Sequence, residues 1–283
     1  MKIILIGGLT TGKIILEYLL SLKNVNLELI ITHPKNFKTQ SYIDLSKYRK
    51  SVKIIYDINA NNHINKIKKI NPDLIIVCGW SWLIDKNLIN LARYGAMGFH
   101  PSVLPKDRGR SVLAWQIEEG YKETSMTMLY LDSGVDSGDI IGQKKIIITK
   151  HNDISDILRK CDKAILVLMK KYFGKVLKNN VNKNKQNHKY ATYRKLRNDT
   201  NSKINWKSKG IDIYNKIRAI SNPYPCAYFL HEGKKVRVIS SRILPNYKIA
   251  INKNKLNITK NKDEYIFECK DSFIKVKIKN ENC

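Results

Sequence analysis

The chain has 283 residues, 52 Lys and Arg against 24 Asp and Glu, and a formal charge of +28. It is long enough for a full α/β domain with a smaller appendage. It holds no apolar run near the ~20 residues that cross a bilayer, and its five scattered cysteines argue against a zinc or disulfide framework. The charge fits a phosphate-bearing partner, yet it tracks a general abundance of Lys, Asn and Ile, and the densest basic runs lack interleaved aromatics.

In chain order, Lys2 to Ile6 is a continuous apolar run, as in a strand buried on both faces of a parallel sheet. It follows the initial Met directly, without the longer apolar region of a signal peptide, and the expected location is cytoplasmic. Gly7 to Gly12 is a turn, and Lys13 to Leu22 has helical spacing. A strand, a Gly/Thr turn and a helix put backbone N–H groups where an anion can bind, but the stretch is neither a full G-x-G-x-x-G nor a Walker pattern and also reads as a plain β–α turn. Strands are expected at Leu27 to Thr32, Val52 to Ile55 and Leu74 to Cys78, with a basic helix over Asn61 to Ile70. His33, ahead of Pro34, reads as a loop residue and Cys78 as a small core residue. This alternation predicts a Rossmann-like, doubly wound and mostly parallel α/β sheet. Ligands of such sheets sit beyond the carboxyl ends of the strands, which aims Gly79 to Ile84 at the site.

Met97 to His100 is the next strand, with Gly98 and His100 on one face. A basic turn (Lys106, Arg108, Arg110), a helix over Val112 to Glu119 and a strand over Met126 to Leu131 lead to the acidic loop Asp132-Ser133-Gly134-Val135-Asp136. His100 and Asp136, brought back to one place, form a plausible acid/base pair. The acidic loop lacks the ligand positions of a calcium loop, and no metal is expected. Further on, Lys144 to Ile148 is a strand and Asp153 to Leu177 a long helix, N-capped by Asn152 or Asp153. Asn179 to Asn187 reads as a mobile polar loop. A helix over Gly210 to Ala219 is followed by β-like runs at Lys235 to Ile239, Lys248 to Ile251, Glu264 to Glu268 and Phe273 to Ile278. The expected domains are 1–190 and a small β-rich C-terminal domain, 191–283, whose strands offer a surface for a homodimer.

The stretch from Gly98 to Ile141 resembles the catalytic segment of the 10-formyltetrahydrofolate-dependent formyltransferases. Their shared blocks are Asn-x-His-Pro-Ser-Leu-Leu-Pro and Asp-x-Gly-Leu-Asp-x-Gly-Asp, which here read Gly98 to Pro105 and Asp132 to Asp139. The resemblance implies an enzyme with 10-formyltetrahydrofolate as co-substrate and His100 and Asp136 as catalytic residues. It also implies a pterin slot made by Trp82, Leu83, Ile84 and Asp132 to Val135. The family's asparagine is Gly98 here, so one donor to the developing oxyanion is missing; Ser81 is the expected replacement, with a backbone N–H, a water or loss of catalysis as the alternatives.

The Trp206 segment, the helix after it and Pro223-Tyr224-Pro225 are similar to the bridge in the tRNA and sugar formyltransferases. His-Pro-Ser, the short tail and the Lys106–Arg110 turn look more like the sugar N-formyltransferases. The implied substrate is a nucleotide-linked amino sugar for surface polysaccharide, contacted by Thr10, Thr11, Lys106, Arg108 and Arg110. The alternatives are methionyl-tRNA formylation, supported by charge although nucleic acid is otherwise not expected, and a ligand-binding relative impaired at Gly98.

Overall fold

The computed structural model describes residues 1–37, 42–244, 257–258 and 263–279. The chain divides by packing into two compact units. One comprises residues 1–109, 124–146 and 159–193; the other comprises 110–123, 147–158 and 194–283.

The first unit opens with β1 (Lys2–Gly7), α1 (Leu9–Leu20), β2 (Asn26–Thr32), β3 (Lys53–Tyr56), α2 (Ile64–Ile70), β4 (Leu74–Cys78), α3 (Lys86–Ile89) and β5 (Ala96–His100). The chain then continues through the two-residue β6 (Arg108–Gly109), α4 (Val112–Glu118) of the second unit, β7 (Glu123–Tyr130), β8 (Ile140–Ile147) and the 24-residue α5 (Ile154–Leu177), whose first turn also falls in the second unit. The seven-stranded sheet runs β3-β2-β1-β4-β5-β7-β8. Its first five strands are parallel and β7 is antiparallel to β5, with Met97 opposite Tyr130. The expected doubly wound α/β sheet is therefore the one observed.

The central strands are apolar throughout because both of their faces are covered. Ile3, Ile4, Leu5 and Ile6 of β1 are all fully buried, as are Leu74, Ile75 and Ile76 of β4. Strand order reverses between β1 and β4, and the two carboxyl ends meet there at very short range. A β-carbon on Gly79, whose φ is +65°, would lie 2.2 Å from the carbonyl oxygen of Gly8. Only glycine fits that crossing.

The helix α1 begins at Leu9, four residues before the expected Lys13, so Thr10 and Thr11 lie in its first turn. Threonine and glycine are weak helix formers, and tertiary packing overrides that preference here. At α5 the expected cap is present. Asp153 Oδ1 accepts from the Asp156 N–H (2.9 Å), and Asp156 Oδ2 accepts in return from the Asp153 N–H (3.2 Å).

The second unit holds α4 and, after the two-residue β9 (Tyr193–Arg194), contains α6 (Asp199–Ser202), α7 (Gly210–Ala219), β10 (Ala227–His231), β11 (Lys234–Leu244), β12 (Asn257–Ile258), β13 (Glu264–Glu268) and β14 (Phe273–Ile278). Its five-stranded sheet, in the order β10-β11-β14-β13-β12, is antiparallel, as the β-rich tail predicted. The β10–β11 hairpin turns on Glu232 and Gly233, both at positive φ. The expected strand at Lys248 to Ile251 lies outside the described residues.

Candidate active site

His100 ends β5 and is 5% exposed. Its Nδ1 lies 3.3 Å from Asp136 Oδ2, and its Nε2 lies 2.7 Å from the carbonyl oxygen of Asp107. A carboxylate oxygen thus faces one ring nitrogen and a backbone carbonyl oxygen the other. Asp136 sits at φ +50°, and its Oδ2 also accepts from the Gly109 N–H at 2.9 Å. The residues either side of Arg108 thus touch both members of the pair, Asp107 holding the imidazole and Gly109 the carboxylate.

Next to this pair is a cavity of about 330 Å³, walled by the β4–α3 loop on one side and the acidic loop after β7 on the other. Trp82, Leu83, Ile84, Asp132, Ser133, Gly134 and Val135, the residues of the implied pterin slot, all line it. Leu83 is 76% exposed and Val135 43% exposed, so each wall presents apolar surface to solvent. An aromatic or heteroaromatic ring slotted between the walls would cover that surface. Gly98 and Asp136 also line the cavity, whereas His100 stands behind Asp136 rather than on the wall.

Two sequence expectations need revision. Ser81 is exposed and does not line the cavity, although its neighbours Trp80 and Trp82 do. At Gly98 an added β-carbon would lie 3.0 Å from Leu131 Cδ2 and 3.3 Å from the Val77 carbonyl oxygen. Leu131 occupies part of the space that a side chain there would need. The second revision is Arg108, expected at a phosphate. It is 1% exposed and is spent on protein partners: Nη2 donates to Gln186 Oε1 (2.7 Å) and meets His188 Nδ1 (3.2 Å), and Nη1 donates to the Tyr193 hydroxyl (3.0 Å). A guanidinium packed this way is scaffold. Lys106, Arg110 and Thr10 are exposed, and Thr11 is half-buried.

Two features of the site are absent from the sequence reading. Gln186, in the middle of the Asn/Lys stretch expected to be mobile, is buried and donates to the carbonyl oxygens of Asp136 (2.8 Å) and Gly138 (2.7 Å). Asn184 of the same stretch pairs in both directions with the Ile140 backbone. His33 is the loop residue expected, in the segment directly after β2, but it is only 1% exposed. It stacks on Phe37 (4.5 Å) and packs against Trp80 (5.0 Å) and the cavity-lining Trp82 (5.4 Å). Burial pushes its pKa down to about 4. Among the described residues no cluster of three or more His, Cys, Asp or Glu could hold a metal ion, and no helix is long and apolar enough to cross a membrane.

Residues 1–169 match the Formyl transferase family and residues 197–282 match its C-terminal domain. The chain belongs to the formyl transferase family. As a formyltransferase it has two kinds of relative. The methionyl-tRNA formyltransferase of Caldanaerobacter subterraneus subsp. tengcongensis is 26% identical over 231 residues, 81% of this chain and 74% of that one. That of Clostridium perfringens strain 13 is 29% identical over 220 residues, 74% of this chain and 70% of that one.

Among solved structures, WlaRD, a sugar 3N-formyl transferase in the presence of dTDP and 5-N-formyl-THF, superposes with a TM-score of 0.72 at 20% identity. The match covers 99% of this chain and 98% of that one. The N-formyltransferase from Helicobacter canadensis, in complex with folinic acid and dTDP-3-aminofucose, also gives 0.72, at 21% identity and with 99% and 100% coverage.

Proposed function

We propose that this formyltransferase moves the formyl group of 10-formyltetrahydrofolate onto the amine of a nucleotide-linked amino sugar. The observation that carries this reading is the cavity itself, a slot with exposed Leu83 and Val135 on facing walls and the Asp136 carboxylate at its side. Bound there, the folate supplies the electrophilic formyl carbon. The amine must arrive neutral and lose a proton as its bond to that carbon forms. The bond from that carbon to the folate nitrogen breaks in the same exchange, and Asp136, on the wall, is placed to take the amine's proton and return it to the departing nitrogen. His100, 3.3 Å behind it, orients the carboxylate and shares the charge.

The sugar reading is supported by solved sugar formyltransferases that match the chain over nearly its whole length and theirs. One of them contains dTDP and the other a dTDP-linked amino sugar. The product class suits surface-polysaccharide assembly. Methionyl-tRNA formylation is the second reading, favoured by the curated sequence relatives and the charge of +28.

Purified protein with 10-formyltetrahydrofolate should formylate a member of a nucleotide-linked amino-sugar panel and leave charged initiator tRNA unmodified. The reverse result establishes the tRNA reading. In the productive assay His100→Asn and Asp136→Asn should each lower turnover about 100- to 10,000-fold. Full activity in either variant removes that residue from the mechanism.

A further inference from the structure

We infer that Gln186 is a positioning residue for the His100–Asp136 pair, acting through the backbone of the acidic loop and through Arg108. The inference rests on the formyl-transfer reading for its kinetic test and on geometry alone for its spectroscopic one.

The buried amide of Gln186 is fully used. Its two N–H groups go to the carbonyl oxygens of Asp136 and Gly138, at 2.8 and 2.7 Å, and its oxygen accepts from Arg108 Nη2 at 2.7 Å. The carbonyls need donors and the guanidinium needs an acceptor, so the amide has a single orientation that satisfies all three. One side chain thereby joins the two segments that make the site. On one side is the loop whose Asp136 faces the cavity. On the other is Asp107-Arg108-Gly109, whose carbonyl holds His100 Nε2 (2.7 Å) and whose N–H holds Asp136 Oδ2 (2.9 Å). Arg108 is itself anchored, by the Tyr193 hydroxyl and by its own N–H, which donates to the Thr192 carbonyl oxygen at 2.8 Å.

Asp136 also needs outside support for its conformation. At φ +50° it occupies a region that non-glycine residues adopt at a cost of about 1 kcal/mol or more, and such residues persist where their surroundings over-determine them. The donors from Gln186 fall on Asp136 itself and on the residue two along. Without them the loop has one fewer reason to hold the carboxylate against His100. The dyad distance then becomes a distribution rather than a fixed 3.3 Å.

The test uses Gln186→Met, which keeps the volume and removes both donors and the acceptor. It also uses Gln186→Glu, which keeps the acceptor for Arg108 and turns an oxygen toward the two carbonyls. Both variants should fold, by thermal unfolding, and bind 5-formyltetrahydrofolate as the wild type does. Both should lose about 10- to 100-fold in kcat with KM for either substrate within about twofold, the signature of misplaced chemistry rather than lost binding. In ¹⁵N-histidine spectra the ring-nitrogen resonances of His100 should be sharp in the wild type and broaden or vanish in the variants.

Wild-type kcat and an unchanged His100 resonance in a folded Gln186→Met variant overturn the inference. So does a loss of kcat with the resonance intact, or a rise in KM alone. If the wild type formylates no amine, the functional reading fails while the His100 resonance still decides the role of Gln186.

Discussion

His33 shows how much one side chain can carry. It sits at the carboxyl end of β2 among Phe37, Trp80 and Trp82, and neither ring nitrogen has a hydrogen-bond partner among the described residues. Only the neutral ring tolerates that environment, hence a pKa of about 4 against ~6.5 in the unfolded chain. Between those two values the unfolded chain binds a proton that the folded protein refuses. The stability contribution is therefore complete above about pH 6.5 and is lost as the pH falls toward 4, at up to ~1.4 kcal/mol per pH unit. Asp162 works in the opposite sense. Burial raises its carboxyl pKa to about 6, so the folded state keeps a proton that the unfolded chain has released, and acidification through pH 6 is stabilising. The wild-type curve adds to these the lowered carboxylates Glu17, Asp44, Asp57 and Asp271, which lose stability on acidification as His33 does. Urea unfolding at pH 7, 6, 5 and 4 should show that His33→Phe loses less stability on acidification than the wild type does. Equal slopes would mean that the ring titrates normally and is not sealed by the tryptophans.

At the scale of elements, the packing of α4 and α7 in the second unit depends on one carboxylate. Glu118 on α4 pairs with Lys216 on α7 at 2.7 Å and with Arg197, whose guanidinium also lies over the Trp115 ring at 4.1 Å. The Arg197 side chain is 7% exposed, so removing Glu118 leaves a nearly buried cation unpaired. Glu118→Ala should cost about 2–4 kcal/mol in chemical denaturation, and Lys216→Met clearly less, since Arg197 then keeps its partner. Equal costs would assign the effect to helix packing instead.

Elements of this kind differ in how plainly the sequence announces them. The strands β1 and β4 were legible because burial on both faces leaves a continuous apolar run, and α5 because its apolar period persists over seven turns. The start of α1 is displaced because Gly8-Leu9-Thr10-Thr11-Gly12 reads as a turn on local propensity. The β10 strand was passed over although His231-Glu232-Gly233-Lys234 carries a hairpin signal, a glycine at positive φ between paired strands. His100, Asp136 and Asp132 to Val135 are singled out by two sequence blocks, and Trp82 to Ile84 by their place after β4. Gln186 is not, since its meaning lies in hydrogen bonds to carbonyls about 50 residues away and its neighbours are uniformly polar.

For the whole molecule the open quantity is the charge of +28. It guarantees attraction to any polyanion, so tRNA binding alone says nothing about substrate. Salt separates the two cases. A polyanion held by six to ten phosphate contacts loses about 10³- to 10⁵-fold in affinity between 50 and 200 mM salt, because counterions are released on binding. A nucleotide-linked sugar has only a diphosphate to neutralise, and its affinity should fall by no more than about tenfold over the same range, on the same slope for one or two contacts. Filter binding of initiator tRNA should therefore collapse by 200 mM while formylation of the sugar persists, and no formylated tRNA should form at either salt. The Lys and Arg side chains would then act as a general field around a slot whose chemistry is set by Asp136 and His100. If instead tRNA is formylated at 200 mM with a shallow salt slope, specific contacts outweigh the general field. The cavity between Leu83 and Val135 then serves the tRNA reaction.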